Sequence, residues 1–222
     1  DDGYTCIAMH PYYETGWSRN LVYPHIGFDE MHFIDYFDQT KILREYITDQ
    51  ELYDKIIKRY ENRKNNEKLF FMGITMQNHG GYTETYDNFP ENYYKVGRSY
   101  TDANQYLSLV HESDEAVKNL ISYFSKVDDP VEIIFFGDHQ PSLNSNFYPI
   151  LNGKGLTGLT EDELEKLYTV PFFIWTNYDT PEETVDITSL DYLSTMALER
   201  AGIELPAYNK FLADMQEVVP AI

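Results

Sequence analysis

The chain has 222 residues, with 37 acidic residues against 17 basic ones and a formal net charge of −20 at pH 7. This length suits one α/β domain, and 42% hydrophobic residues with 16% aromatics indicate a folded protein with a sizeable core, not a disordered one. So acidic a surface repels nucleic acid and anionic lipid. We therefore expect no nucleic-acid partner, and an anionic substrate would need positive charge concentrated at its site.

The number of cysteines and the start of the chain give information about the cellular compartment of the protein. Cys6 is the only cysteine, so no intrachain disulfide forms. This fits a reducing cytosol, and equally an extracellular bacterial protein that avoids cysteine. There is no signal peptide and no run of 18 apolar residues. Because the chain starts abruptly, just before an apolar stretch, we expect it to be a fragment whose membrane anchor lies upstream.

The N-terminal half alternates strand and helix patterns. Tyr4 to Met9 predicts a short strand, and residues 28–34 predict a second one. Residues 19–25 favour a short helical turn between them. Thr48 is a typical N-cap for a helix with apolar residues at helical spacing. Residues 69–76 form a continuous apolar run, which predicts a buried strand.

The C-terminal half continues the alternation. Thr101 and Asp102 cap the longest predicted helix, and its apolar stripe reaches Phe124. Residues 132–136 predict another fully buried strand. The remaining predicted elements are a helix over 161–168, a strand over 170–175, a helix over 187–201 and a helix over 209–218. Strands of this kind between helices predict an α/β fold, with a mostly parallel central sheet and helices on both faces. We predict a single domain over residues 1–222.

Histidines follow three of the predicted strands. They are His10, His79 and His139, the last directly after Asp138. Ligands of α/β proteins bind just outside the carboxyl ends of the strands, so these side chains can converge on one crevice. A carboxylate and an imidazole there can share one divalent cation. A single loop histidine is more often a surface or hydrogen-bonding residue, but three at strand ends favour a common site.

Trp17 and Arg19 lie in the loop after His10. The arginine fork matches phosphate or sulfate oxygens, and the indole offers a flat apolar wall. Spacing alone favours a tryptophan packed on the core and a solvated arginine. The sequence contains no nucleophile elbow, phosphate-binding loop or dinucleotide fingerprint, and no second acidic metal ligand is obvious. From the residues alone, the metal site is incomplete.

Three blocks carry a resemblance to a known family. In chain order they are MHPYYETGWSRN, FFMGITMQNHGGY and IIFFGDHQP. Together they resemble the C-terminal two-thirds of the extracellular catalytic domain of lipoteichoic acid synthases. Those enzymes are phosphoglycerol transferases of the sulfatase and alkaline phosphatase superfamily. The tail from VPFFIW to LERAGIELPAYNKFL is similar to related enzymes of Gram-positive bacteria, so the resemblance covers essentially the whole chain and implies an N-terminally truncated fold of that superfamily.

The resemblance implies a role for each matching residue. Asp138 and His139 match two ligands of a divalent cation, Mn²⁺ or Mg²⁺ in the family. His79 matches a histidine that contacts the phosphoglycerol substrate and implies a catalytic role. His10, Trp17 and Arg19 match the substrate-binding histidine, tryptophan and arginine. The family's nucleophilic threonine and its acidic metal ligand would lie upstream of Asp1, so the fragment itself would be inactive.

The implied function is phosphoglycerol transfer in cell-envelope polymer synthesis through a covalent threonine intermediate. The implied partners are a phosphatidylglycerol-type head group and a glycerol phosphate polymer. The implied location is the extracellular face of a Gram-positive cell membrane. One alternative is a sulfatase or phosphodiesterase on the same fold, because water need only replace the polymer hydroxyl. Another is a non-catalytic module that binds envelope glycans.

Overall fold

The computed structural model describes residues 3–89 and 100–221. The chain divides into two compact units, Asp1–Ser122 with Pro141–Leu167, and Tyr123–Gln140 with Tyr168–Ile222. The strands are β1 (Tyr4–Met9), β2 (Glu30–His32), β3 (Ile42–Leu43), β4 (Tyr46–Ile47), β5 (Lys68–Gly73), β6 (Glu132–Phe136) and β7 (Phe172–Thr176). The helices are α1 (Arg19–Ile26), α2 (Asp49–Glu61), α3 (Thr101–Phe124), α4 (Tyr148–Asn152), α5 (Glu161–Glu165), α6 (Leu190–Arg200) and α7 (Ala207–Val218).

A parallel sheet in the order β2-β1-β5 forms the centre of the first unit. Met9, the last residue of β1, pairs with His32 on one side and Gly73 on the other. The central strand carries the core, since Ile7 and Met9 have no exposed surface. The predicted α/β class and its parallel sheet are confirmed, and both flanking strands end level with β1. Loops that leave this edge therefore start side by side.

Two helices of the first unit form as their sequences predict. The Thr48 hydroxyl accepts a hydrogen bond from the Glu51 amide at 3.2 Å and caps α2. Gly73 of β5 faces this helix, because a Cβ there would lie 3.2 Å from the Ile56 Cδ1. Helix α3 is the longest helix of the described residues, as predicted, and its fully buried Leu109 lies in the core.

A small hairpin, β3–β4, was not evident in the sequence. Ile42 pairs with Ile47 and Leu43 with Tyr46 in an antiparallel ladder. The turn places Arg44 in the left-handed region, at φ 57°. A left-handed arginine is uncommon, since hairpin turns favour Asn or Gly there. The contacts of Arg44, described below, account for this conformation.

The second unit holds an antiparallel pair, β6 and β7, with Ile134 opposite Ile174. The Asp-His strand thus belongs to its own two-stranded ladder, and the parallel sheet consists of β1, β2 and β5. The expectation of fully buried strands is wrong for β5 and β6, where Phe70 is 48% and Phe136 is 44% exposed. A strand is buried on both faces only where other elements pack against both faces. An apolar run in the sequence does not predict that packing.

Helices α6 and α7 pack together in the second unit, where the Asn209 amide donates to the Thr195 hydroxyl at 2.9 Å. Among residues 3–89 and 100–221, no helix has the length and apolarity needed to cross a membrane. The prediction of one domain over residues 1–222 stays a prediction.

Candidate functional site

His10 follows β1 directly and is 1% exposed. Its Nδ1 lies 2.9 Å from the Ile74 carbonyl oxygen, which can only accept, so Nδ1 carries the proton. The other ring nitrogen, Nε2, then holds a lone pair and has no hydrogen-bond partner among the described residues. Burial lowers the pKa of His10 to about 4. The side chain is therefore a neutral, buried acceptor at pH 7.

Trp17 brings the two predicted histidines of this unit together. Its ring centroid lies 5.8 Å from that of His10 and 6.1 Å from that of His79, both edge-on. The tryptophan has φ 52° and Ser18 has φ 55°, both in the left-handed region. Strained backbone of this kind clusters at functional sites. The interpretation of a tryptophan packed on the core is wrong, because Trp17 is 59% exposed.

Arg19 lies against the same ring, with its guanidinium carbon 4.2 Å from the Trp17 centroid. Its Nε donates to the Tyr23 hydroxyl at 2.9 Å, and its first terminal nitrogen donates to the Gly16 carbonyl at 3.3 Å. A guanidinium has five N–H groups in a fixed fork. The remaining donors have no acceptor among the described residues. They are thus available to the oxygens of an anionic ligand.

His79 lies exposed in the loop after β5, and its Nδ1 is 3.3 Å from the Tyr46 hydroxyl. The backbone of this loop is held by Arg44, which is 5% exposed. The guanidinium donates to the carbonyls of Gln77 (2.9 Å), His79 (2.8 Å) and Gly81 (2.9 Å). One buried arginine thus fixes the path of the His79 loop.

The charge of Arg44 has no carboxylate within ion-pair distance in the described part of the chain. Its fourth bond goes to the Gln105 amide oxygen at 3.0 Å, and the rings of Tyr46, Tyr82 and Tyr86 lie 5.4–5.9 Å away. Carbonyl dipoles and aromatic faces stabilise the cation without cancelling its charge. The guanidinium of Arg44 therefore gives a positive electrostatic potential beneath the His79 loop, in a protein that is otherwise acidic.

A buried polar network supports the same loop from the helices. Asp49 is fully buried, and its Oδ2 accepts from the Ser113 hydroxyl at 2.5 Å. The Asp49 amide donates to the side-chain oxygen of Gln77 at 3.1 Å. Burial raises the pKa of the Asp49 carboxyl to about 6. This network ties α2 and α3 to the residue that precedes Asn78 and His79.

Asp138 and His139 lie in the second unit, at the end of β6, with side chains 86% and 75% exposed. The His139 Nδ1 lies 2.9 Å from the Gln140 carbonyl oxygen, so in the neutral ring Nδ1 donates to this oxygen and the lone pair is on Nε2. That Nε2 is 3.4 Å from the Asp138 Oδ2. Two acceptor atoms at this separation suit a shared cation with ligand distances of about 2.0–2.2 Å. The donor set thus fits one divalent ion.

Residues 3–89 and 100–221 contain no group of three or more His, Cys, Asp or Glu side chains arranged to hold a metal ion. The structure brings His10, Trp17, Arg19 and His79 together in the first unit and pairs Asp138 with His139 in the second. Sequence reasoning missed Arg44, Tyr46 and Tyr12, whose ring centroid lies 5.9 Å from that of Trp17. An arginine in a polar stretch gives no sequence signal of burial, and the chain has too many tyrosines for any one to stand out.

The comparisons with known proteins identify the family. The Sulfatase family model matches residues 1–203, so the chain belongs to the sulfatase family. It is 27% identical to a "Putative cyclic beta-1,2-glucan modification protein" of Rhizobium meliloti (strain 1021), over 97% of this chain and 34% of that protein. It is also 27% identical to "Lipoteichoic acid synthase" of Staphylococcus saprophyticus, over 96% of this chain and 33% of the relative.

Solved structures show the same fold. The phosphoglycerol transferase GacH of Streptococcus pyogenes, in complex with sn-glycerol-1-phosphate, superposes with a TM-score of 0.76 at 21% identity, over 97% of this chain and 55% of that one. A Vibrio parahaemolyticus protein of the alkaline phosphatase superfamily superposes with a TM-score of 0.58 at 15% identity, over 91% of this chain and 46% of that one. The fold is thus that of the alkaline phosphatase superfamily. The chain spans about a third of the length of these curated relatives.

Proposed function

We propose that the full-length protein is a metal-dependent phosphoglycerol transferase that builds or decorates a cell-envelope polymer. The observation that carries the proposal is the cluster of His10, Trp17, Arg19 and His79 at one sheet edge. It combines a buried acceptor, an apolar wall and a cationic fork. These are the groups that a glycerol phosphate requires. The relative named lipoteichoic acid synthase supports this reading.

The proposed roles follow from the geometry of each side chain. His10 Nε2 accepts a hydrogen bond from a glycerol hydroxyl, because its proton is held on Nδ1 by the Ile74 carbonyl. The N–H groups of Arg19 donate to the phosphoryl oxygens, and the exposed Trp17 ring covers the glycerol carbons. His79 is the exposed histidine of the cluster and moves protons at the reacting oxygen.

Asp138 and His139 are proposed to hold the divalent cation, Mn²⁺ or Mg²⁺, with ligands from upstream of this chain. In the neutral ring, the Gln140 carbonyl favours the tautomer with its proton on Nδ1, which leaves Nε2 as the metal-binding nitrogen. When bound, such an ion lowers the pKa of a coordinated hydroxyl and balances charge on phosphoryl oxygens. The 222 residues alone hold two of the four expected ligands. Tight stoichiometric Mn²⁺ binding by them would contradict this assignment.

The proposed reaction has two balanced steps. An upstream threonine forms an Oγ–P bond and loses its proton, while the bond from phosphorus to the diacylglycerol oxygen breaks and that oxygen gains a proton. In the second step an acceptor hydroxyl loses its proton and forms the new O–P bond, while the threonine Oγ–P bond breaks and that oxygen regains a proton. His10, with a pKa of about 4, stays neutral throughout and only positions the glycerol.

The experiment uses the full-length protein with phosphatidylglycerol vesicles and Mn²⁺, and it measures diacylglycerol release and glycerol phosphate transfer. His79→Ala should lower the rate by about 10²–10⁴-fold, the usual size of a general acid–base contribution. His25→Ala is the matched control, because His25 is an exposed histidine on α1. Normal turnover of the His79 variant would overturn the role of His79.

A hydrolase on the same fold is the second candidate. The match of residues 1–203 to the Sulfatase family model favours it, because a sulfatase transfers its group to water. A hydrolase would release free glycerol phosphate at an unchanged rate whether or not a polymer acceptor is present. A transferase would attach the glycerol phosphate to the acceptor. Absence of diacylglycerol release would instead favour a non-catalytic envelope glycan-binding module.

A further inference from the structure

A cavity lies beside the group of His10, Trp17, Arg19 and His79, which we call the Trp17 cluster, and two rings of its lining contact that cluster. It has a volume of about 100 Å³ and is lined by the loop after β1, the turn near Ile34 and the β3–β4 hairpin. We call it the hairpin pocket. Tyr12, in its lining, has its centroid 5.9 Å from that of Trp17. Tyr46, also in the lining, has its centroid 5.6 Å from that of His79. The pocket and the Trp17 cluster are therefore adjacent and in contact through these two tyrosines.

The lining residues of the hairpin pocket differ in burial, so the pocket has a buried base and an exposed rim. Ile47 is 3% exposed and Pro11 is fully buried, so the base is apolar. Tyr13 is 59% exposed, and Gln39 and Glu45 are exposed as well, so the rim is aromatic and polar. The pocket thus offers flat apolar surface next to a carboxamide and a carboxylate.

These groups match the chemistry of a sugar ring. A pyranose has an apolar C–H face that packs on aromatic rings, and its hydroxyls donate to side-chain oxygens at the edge. Glu45 disfavours an anionic ligand, and the lining residues, all within the described chain, include neither Lys nor Arg. A volume of about 100 Å³ is small beside the 300–1,000 Å³ usual for ligand pockets, so it admits part of one sugar unit.

We propose that the hairpin pocket binds a neutral sugar residue of the acceptor. This proposal rests on the proposed function and specifies its acceptor. The Tyr46 hydroxyl lies 3.3 Å from the His79 Nδ1, so a sugar seated against Tyr46 has its next hydroxyl beside the proposed proton-transfer residue. A repeating glycerol phosphate unit, which carries a negative charge, would meet Glu45 instead.

The test measures acceptor kinetics of the full-length protein with two probes, a neutral glucose tetrasaccharide and a glycerol phosphate tetramer. The variant combines Tyr13→Ala and Gln39→Ala, which removes rim contacts and leaves the Trp17 cluster in place. We expect KM for the tetrasaccharide to rise about tenfold or more, with a smaller change in kcat, from loss of one stacking contact and one hydrogen bond. Tyr168→Ala, at a tyrosine 84% exposed in the second unit, is the control and should leave KM unchanged.

Two kinetic results would overturn the pocket assignment. One is an unchanged KM for the tetrasaccharide, and the other is a rise in KM only for the glycerol phosphate tetramer. If the wild-type protein releases no diacylglycerol, the proposed function fails, and direct binding then decides the pocket. Isothermal titration calorimetry should give a saturable heat change with the tetrasaccharide in the wild type and none in the double variant. No saturable change in the wild type would overturn the pocket.

Discussion

At the scale of single residues, Arg44 holds more of the site's backbone in place than any residue that the sequence analysis selected. It joins three carbonyls of the His79 loop to a side chain of α3. Removing a buried charged donor leaves its acceptors without partners, which costs more than the bonds contribute while formed. Arg44 is a positioning residue, because it acts on the substrate only through His79.

The Arg44→Lys variant should show whether Arg44 acts through its positive charge or through its hydrogen bonds to the three carbonyls. Lysine keeps the charge but cannot span three carbonyls, so we expect a destabilisation of about 2–4 kcal/mol and a fall in kcat of about 10²-fold from a misplaced His79. Denaturant unfolding and acceptor kinetics of the full-length protein measure the two effects. Added guanidinium ion should restore part of the activity of Arg44→Gly. Arg63→Lys, at an arginine stacked on Tyr60, is the control.

Protonation of Asp49 makes the free energy of unfolding depend on pH. Its pKa is about 6 when folded and 3.8 ordinarily, so the folded state binds the proton more tightly. The stabilisation from this proton is complete below about pH 3.8 and is lost as the pH rises through 6. The loss amounts to at most about 3 kcal/mol.

Asp49→Asn should therefore gain unfolding free energy relative to the wild type between pH 4 and pH 6. His10, with a depressed pKa, contributes the opposite slope, and comparing variant with wild type cancels it. Denaturant unfolding at several pH values measures the difference. Asp54→Asn, at an exposed carboxylate of the same helix, should show no such slope. A pH-independent difference for Asp49→Asn would refute the buried-carboxyl account.

At the scale of elements, the sequence predicted what local pattern determines. The Tyr4–Met9 strand is confirmed to the residue, and α3 begins at Thr101, one of the two predicted cap residues, because apolar runs and helix starts are local signals. The β3–β4 hairpin was missed, since two-residue strands have no periodicity and Arg44 replaces the usual turn residue. The antiparallel pairing of β6 with β7 was also beyond the sequence, because apolar runs do not encode strand direction.

The end of β6 offers a test of packing beside Asp138. A Cβ added at Gly137 would lie 3.1 Å from the Val170 Cβ, on the segment that leads into β7. Gly137→Ala should cost about 1–3 kcal/mol through overpacking. Val170→Gly in the same chain removes the contacting Cβ and should recover part of this loss, which a double-mutant cycle measures. Gly155→Ala is the control, because nothing lies within 4 Å of its added Cβ. Additive effects at 137 and 170 would show that the two residues do not touch.

At the scale of the whole molecule, the net charge of −20 opposes an anionic substrate surface. Raising the salt concentration from 10 to 150 mM shortens the screening length from about 30 to about 8 Å. The KM of the full-length protein for phosphatidylglycerol vesicles should therefore fall as salt rises. A monomeric short-chain phosphatidylglycerol presents one charge and should show a smaller effect. A KM that rises with salt would indicate a basic docking surface elsewhere in the protein.

The four bonds of Arg44 also bear on how the first unit folds. The hairpin turn and the His79 loop share one side chain, so neither segment can open without breaking the bonds of the other. Their backbone amides should then exchange with deuterium as one cooperative unit, with the same opening free energy. In the Arg44→Lys protein the hairpin amides and the loop amides should instead exchange at separate rates. The segment that presents His79 would thus be assembled in a single folding event together with a hairpin more than 30 residues earlier in the chain.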